Sequence, residues 1–397
     1  MVTALSHLII LNAFEMSFPV DKLPHVGTTI FSVMSQLAAE HNAINLGQGF
    51  PTFPVDSLLI DLVTKAMKDG FNQYAPMPGV PSLRQRIAEK LLLRGGFSYD
   101  WQNEITITAG ASQALFTAIS SLIQKGDEVI LFGPAYDCYA PAIALNGGTV
   151  KWVDLHYPDF SLDQTALQAA ITSRTKLIIV NNPHNPSGKV WKKEELDCIA
   201  KVVLENNLFI ISDEVYEHIV FDGLVHHSMM AYPELRERLL LTFSFGKTFH
   251  ATGWKLGYAI GPKDWMMSFR KQHQFNVFTC NSAFQYAIAD YMKDITLYDA
   301  ISPMYQSKRD LLLSSLRHPL LEIAPTSGTY FQLIKFKGDS PLDDVQLAED
   351  WVVNQGVALI PTAVFYNAAA NNRVFRVCFA KENDDLISAA QKLNNLH

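Results

Sequence analysis

Six short stretches of the chain are apolar without alternation: Ile105–Thr108, Val129–Phe132, Leu177–Val180, Leu208–Ser212, Leu239–Phe245 and Leu256–Ile260. Runs of this length, apolar on both faces, suit strands in the middle of a parallel sheet covered by helices. Helix-like segments separate them. In Ser112–Gln124, the residues Leu115, Phe116, Ile119, Leu122 and Ile123 fall on one face, and Lys125-Gly126-Asp127 supplies the stop. Such strand–helix alternation predicts an α/β fold with a large, doubly wound, mostly parallel sheet. The large domain is expected over residues 61–296. Beyond about residue 297 the pattern changes to a long helical stretch, strands at Gly328–Lys335 and Arg373–Phe379, and a terminal helix from Asp384. That predicts a smaller α+β domain built from residues 21–60 and 297–397. Residues 1–20 are expected to form a disordered N-terminal extension, and Met16 offers a second start.

Composition narrows the function. The chain has 397 residues, 48% hydrophobic and 18% charged, ample for a large buried core and more than one domain. Thirty-two basic residues against thirty-nine acidic ones give a net charge of −7. With no arginine-rich run or basic stripe, neither nucleic acid nor an anionic membrane is an expected partner. Cys138, Cys198, Cys280 and Cys378 are scattered, with no CxxC and no metal-ligand spacing, as in a reduced cytosolic protein that holds no metal. The short apolar run Leu8–Leu11 has no basic residue ahead of it, unlike a secretory signal. The chain contains no apolar run of about 18 residues that would span a membrane. A cytoplasmic location is therefore expected.

Ligands of open α/β sheets sit beyond the carboxyl ends of the strands, so the residues just past each apolar run carry the candidate chemistry. After Ile105–Thr108 comes Ala109-Gly110-Ala111-Ser112, small residues entering a helix. Free backbone N–H groups and the Ser112 hydroxyl would cradle an anion there, although a tight turn with Ser112 as N-cap reads the same. Tyr136 comes after the second run. The stiff polar loop Asn181–Gly188 comes after the third. Asp213 and Tyr216 come after the fourth, and an aspartate ending an apolar strand is costly to bury unless it meets a cation; capping the next helix is the plainer alternative. Ser244 and Lys247 close the fifth, with Lys255 shortly beyond. Desolvation lowers an ammonium pKa, as a lysine that bonds covalently to an aldehyde requires. Together these place a phosphate cradle, an aromatic ring, an amide, a carboxylate, a phenol and two lysines on one sheet edge, a set that fits a phosphorylated aromatic aldehyde.

From about Leu23 onward the sequence resembles the class I/II aminotransferases of fold type I. The motifs that carry the resemblance are Asn45-Leu-Gly-Gln-Gly-Phe-Pro51, Asn72-Gln-Tyr-Ala-Pro76, Asn182-Pro-His-Asn-Pro-Ser-Gly188, Ser212-Asp-Glu-Val-Tyr216, Ser244-Phe-Gly-Lys247 and Phe375-Arg-Val-Cys-Phe379. The Gly-Gln-Gly-Phe-Pro, Asn-Gln-Tyr and Gly-Trp-Lys-Leu-Gly-Tyr segments are similar to the kynurenine, glutamine and methionine aminotransferase branch. The resemblance implies pyridoxal 5'-phosphate as cofactor, bound covalently by Lys247, with Asp213 paired to its ring nitrogen. It implies Asn185 and Tyr216 at the ring's phenolic oxygen and Tyr136 stacked on the ring. Gly110, Ala111, Ser112, Ser244 and Lys255 would hold the phosphate, joined by Tyr74 from the partner subunit of a homodimer with shared active sites. Arg376 would clamp the substrate α-carboxylate, helped by Gly49 and Asn185. From the residue and its neighbours alone, without the other motifs, Arg376 reads as a solvent-facing strand arginine between core residues Phe375 and Val377. Lysine at position 255 departs from the arginine of aspartate-type enzymes but agrees with the kynurenine branch.

Gln272–Ser282 contains no Arg or Lys, where aspartate-type enzymes place a cation for a distal carboxylate. Phe31 and Thr279 fall where the branch lines its side-chain pocket, and Phe278 adds apolar surface. The expected reaction moves the amino group of a neutral or aromatic L-amino acid (methionine first, then phenylalanine, glutamine or kynurenine) to a 2-oxo acid. A β-lyase acting on S-conjugated cysteine with the same cofactor is the alternative. A nicotinamide oxidoreductase would need a GxGxxG after the first strand, and a cofactor-binding transcription regulator would need a DNA-binding domain ahead of the fold. Neither is present in the sequence.

Overall fold

The computed structural model describes residues 21–24, 26–367 and 372–396, so the extension expected over residues 1–20 lies outside the described residues. Its centre is a seven-stranded sheet. In spatial order the strands are Ile105–Thr108, Gly257–Ile260, Leu239–Ser244, Phe209–Asp213, Thr175–Asn181, Glu128–Gly133 and Thr149–Asp154. Gly257–Ile260 alone runs antiparallel to its two neighbours. The Leu256–Ile260 run, apolar on both faces, thus arises from burial under helices and not from parallel pairing.

Every one of the six apolar runs forms a strand; the seventh, Thr149–Asp154, escapes the apolar-run criterion. Its residues alternate between polar and apolar as far as Trp152 and are mostly half-exposed because it is an edge strand. The opposite edge, Ile105–Thr108, is wholly buried beneath the helix Lys263–Asn276. From that helix Arg270 donates to Thr106 Oγ1 and to the Ile105 carbonyl, each at 2.8 Å. The sheet core is Leu-, Ile- and Val-rich, with Ile130, Ile178, Ile210 and Leu241 fully buried on one face. Each such side chain contributes roughly 1.5–3 kcal/mol.

A second, four-stranded antiparallel sheet orders Ile360–Pro361, Val374–Cys378, Phe331–Phe336 and Leu321–Glu322. The helices Ile301–Ser315 and Asn383–Leu393 pack against each other beside it. The N-terminal segment joins this part of the chain through a short parallel pair, Ile44 with Val357 and Asn45 with Ala358. That pairing sets the following loop, Leu46–Phe50, against the rim of the large sheet. Among the described residues no helix is long and apolar enough to cross a membrane.

Candidate active site

The carboxyl ends of three parallel strands deliver Asn181, Asp213 and Ser244 to one rim of the large sheet, where a cleft of about 280 Å³ opens. Eleven of the residues expected from sequence line it: Phe31, Gly49, Ala111, Ser112, Tyr136, Asn185, Asp213, Tyr216, Ser244, Lys247 and Arg376. Gly110 and Lys255 stand just behind, close enough that a Cβ on Gly110 would lie 3.5 Å from Lys255 Nζ. Gly110 has φ +78°, a left-handed turn that favours glycine and swings the chain from strand into helix.

That helix, Gly110–Ser120, starts two residues earlier than the sequence pattern suggests, and its N-cap is Ala109, which offers no side-chain hydrogen bond. Ser112 therefore lies inside the first turn and is not the cap. Ala111 and Ser112 of that first turn line the cleft, and the cap residue offers their N–H groups no side-chain acceptor, which suits an anion. With Ser244 lining the cleft and Lys255 behind Gly110, the end of the cleft has the donors a phosphate needs.

Asp213 is 3% exposed, and its partners are all neutral. Tyr139 Oη donates to Oδ2 at 2.6 Å, Thr242 Oγ1 to Oδ1 at 3.3 Å, and the Val215 N–H to Oδ1 at 3.4 Å. Burial outweighs these donors and pushes the carboxyl up to about 6. A carboxylate so placed lacks a cation, which a protonated pyridine nitrogen would supply. Burial likewise raises the phenols of Tyr136 and Tyr216, so both stay protonated and able to donate at neutral pH.

Lys247 lies in the short helical turn Phe245–Thr248, directly after the strand Leu239–Ser244. Burial brings its ammonium down to about 8, within reach of the neutral amine that covalent chemistry requires. Nζ donates to Tyr330 Oη at 2.7 Å and to the Gly49 carbonyl at 3.3 Å.

Arg376 is 2% exposed, so the solvent-facing alternative does not hold. The reason is its strand: Val374–Cys378 lies between two others, and all five of its residues are buried. Nη1 donates to Asn185 Oδ1 at 2.9 Å, and Nη2 to the Gly47 carbonyl at 3.1 Å. Nε has no hydrogen-bond partner among the described residues. The guanidinium lies 4.0 Å from the Phe331 ring centre and 5.0 Å from that of Phe31. An arginine held between rings, with donors to spare, is suited to a carboxylate.

Tyr74, Phe278 and Thr279 do not reach this cleft. Tyr74 is 83% exposed and meets Phe278 edge-on at 5.3 Å, and with Thr279 it lines a separate surface cleft. The sequence pattern assigns no role to Gln48 and Phe331, which line the cleft, to Tyr139 and Tyr330, which bond to Asp213 and Lys247, or to Lys381, which holds the Gln48–Phe50 loop from behind. Gln48 does lie within the Asn45–Pro51 motif, and Tyr139 comes three residues after Tyr136, at the start of the helix Tyr139–Leu145. For Tyr330 and Lys381 the only signal is position, each near the end of a strand of the second sheet.

A phosphate-ready helix end, a buried carboxylate awaiting a cation, a lysine with a depressed pKa and a buried arginine fit pyridoxal 5'-phosphate with an amino acid beside it. The family profile "Aminotransferase class I and II" matches residues 41–393. The chain belongs to that family, whose members are pyridoxal-phosphate-dependent transaminases. It is 45% identical over 379 residues to the methionine aminotransferase of Escherichia coli, covering 95% of this chain and 98% of that one. It is 37% identical over 385 residues to a kynurenine–oxoglutarate transaminase of Dictyostelium discoideum, covering 88% of each. A crystal structure from Escherichia coli described as having a methionine aminotransferase function superimposes with a TM-score of 0.93 at 44% identity, covering 96% of this chain and 100% of that one.

Proposed function

We propose that this aminotransferase takes the amino group from a neutral or aromatic L-amino acid, methionine first, and passes it to a 2-oxo acid. The lining of the cleft carries this reading: its charged residues among the described chain are Asp213, Lys247 and Arg376. Each has a task near the reacting atoms, which leaves no cation for a distal carboxylate. Burying such a group without a partner costs several kcal/mol, whereas Phe31, Leu115, Tyr136 and Phe331 gain about 25 cal/mol per Å² from an apolar side chain. The similarity to methionine and kynurenine aminotransferases supports the same class.

Bound pyridoxal 5'-phosphate supplies an electron-accepting ring for the substrate. The chain's own residues do the rest. Gly110, Ala111, Ser112, Ser244 and Lys255 hold the phosphate. Asp213 would keep the ring nitrogen protonated, the cation its buried carboxylate lacks. Asn185 and Tyr216 would donate to the ring's phenolic oxygen, and Tyr136 would pack against the ring. Lys247 would hold the cofactor covalently, and its free amine would take the proton from the substrate Cα at Nζ. Arg376, with Asn185 and Gly49, orients the α-carboxylate so that the Cα–H faces that amine.

The same reading divides the chain into a cofactor-binding domain, residues 61–296, and a smaller one, residues 21–60 and 297–397. It makes the enzyme a cytoplasmic homodimer in which Tyr74 completes the partner's phosphate site. An exposed tyrosine packed on Phe278 supports an interface there.

The test is a panel of amino donors against one neutral 2-oxo acid acceptor. Methionine should exceed aspartate and glutamate in kcat/KM by at least tenfold. Aspartate matching methionine would sink the substrate class. Release of ammonia in place of the aminated acceptor would reveal β-elimination.

A further inference from the structure

Tyr330 lies at the entry to the strand Phe331–Phe336 and is fully buried. Its hydroxyl donates to the Gly49 carbonyl at 2.7 Å. That commits its only hydrogen, so the phenol oxygen can serve Lys247 solely as an acceptor. Lys247 Nζ sits 2.7 Å from this oxygen and 3.3 Å from the Gly49 carbonyl, closing a triangle of three groups from three distant parts of the chain.

Neither acceptor has much freedom to drift. The Tyr330 ring meets Tyr216 edge-on at 5.2 Å and Phe331 at 4.8 Å. The Gly49 segment is held carbonyl by carbonyl: Arg376 donates to Gly47, and Lys381 donates to Gln48 at 3.2 Å and to Phe50 at 3.1 Å. A Cβ on Gly49 would lie 2.9 Å from the Phe331 ring, so the segment is also packed from the side.

We infer that Tyr330 is a positioning residue for the catalytic lysine, its phenol oxygen and the Gly49 carbonyl forming the seat that the ε-amino group occupies whenever it is not bonded to the cofactor. This rests on the assignment of Lys247 as the cofactor-binding lysine. Two neutral acceptors favour the ammonium over the amine. They oppose burial, which is the main influence lowering its pKa. Of the other groups around Nζ, Arg376 and Lys255 also disfavour the charge and Asp213 favours it, while the Cys378 thiol, raised by burial, stays neutral, and the Tyr216 ring lies 5.7 Å away. The seat thus moderates the effect of burial and returns the ε-amino group to one place after each release. That place lies beside Gly49, at the end of the cleft where Arg376 stands.

The experiment uses the cofactor-free protein, whose folding is checked by thermal unfolding. Modification of Lys247 by an amine-acylating reagent is followed against pH by mass spectrometry of the peptide. In Tyr330→Phe the ring remains and the acceptor is lost, so the midpoint should fall by about one pH unit, making modification about tenfold faster at pH 6. Tyr305→Phe is the control: its ring is 5.7 Å from that of Tyr330, its hydroxyl has no partner among the described residues, and the midpoint should not move. Placing 3-fluorotyrosine at position 330, a weaker acceptor of nearly the same shape, should shift the midpoint in the same direction by less, and serves if Tyr330→Phe folds poorly. A midpoint that stays put or rises overturns the seat, even if stability falls. Borohydride reduction of the holoenzyme tests the premise separately: cofactor fixed on another lysine sinks the assignment of Lys247, whereas cofactor fixed on Lys247 with an unmoved midpoint sinks only the role of Tyr330.

Discussion

Arg376 Nη1 donates to Asn185 Oδ1 across 2.9 Å, joining residues 191 positions apart. Asn185 is itself pinned, its N–H donating to Asn181 Oδ1 at 2.7 Å while Asn181 Nδ2 donates to the Asp213 carbonyl at 2.9 Å. One chain of hydrogen bonds therefore runs from the guanidinium to the backbone of the buried carboxylate. The proposed substrate clamp, Arg376, and the proposed ring-nitrogen partner, Asp213, are thus held in register by the fold itself, which lowers the ordering cost of binding.

Removing the clamp should show in substrate discrimination. A hydrogen bond to a charged group is worth roughly 1.5–3 kcal/mol, so Arg376→Ala should lower kcat/KM for amino acids by at least tenfold. Amines without an α-carboxylate should lose far less. Arg376→Lys keeps the charge without the planar fork and should fall between. Equal losses for both substrate types would assign Arg376 to structure alone.

Asp213 should trade stability against cofactor retention. Its carboxyl lies at about 6 in the fold against an ordinary 3.8. For a raised carboxyl the stabilising contribution is complete below 3.8 and is lost as pH rises through about 6. The cofactor-free protein at neutral pH thus carries a penalty on the order of 3 kcal/mol. Asp213→Asn should raise the Tm of the cofactor-free protein at pH 7.5 while weakening cofactor retention on dialysis. A lower Tm together with unchanged retention would contradict both halves.

Glu214, next in sequence, offers a cleaner pH signature because it does not line the cleft. Its Oε1 accepts from Ser212 at 2.8 Å, Ser228 at 3.0 Å and the Met229 N–H at 3.1 Å. Burial still pushes the carboxyl up to about 7, and burial brings the neighbouring His226 down to about 4. The two approach to 3.6 Å, and His226 is neutral there at physiological pH. Stability from Glu214 is complete below its ordinary 4.5 and is lost as pH rises through about 7. Glu214→Gln should flatten the decline of Tm over that window. A decline identical to that of the parent protein would remove Glu214 from the account.

The assembly can be tested at the exposed aromatic pair. If Tyr74 reaches a partner's phosphate site, Tyr74→Phe should loosen cofactor binding several-fold without changing subunit Tm, and sedimentation should show a dimer at assay concentration. An active monomer would rule out the shared site.

Strand positions are legible in the sequence because residues such as Ile178 and Leu241, buried between helical layers, leave no polar alternation. Lys247, Asp213 and Arg376 are legible because they sit in motifs, and the first two also end apolar strands. The direction of Gly257–Ile260 is not, since burial under helices leaves the same apolar mark whichever way a strand runs. Nor are Tyr139, Tyr330 and Lys381, whose partners Asp213, Lys247 and Gln48 lie 74, 83 and 333 positions away. A tyrosine among apolar neighbours reads as core until the residue opposite its hydroxyl is known.

The two edges of the large sheet imply different behaviour in concentrated solution. Ile105–Thr108 hides its outer side beneath a helix whose Arg270 takes up a backbone acceptor. Thr149–Asp154 has no strand beyond it among the described residues, and there the sequence places Lys151, part-exposed and 3.7 Å from Glu128. A second molecule adding a strand at that edge would have to strip water from an ammonium group. Replacing Lys151 with valine would suit the local strand pattern better and should make the protein more prone to precipitate.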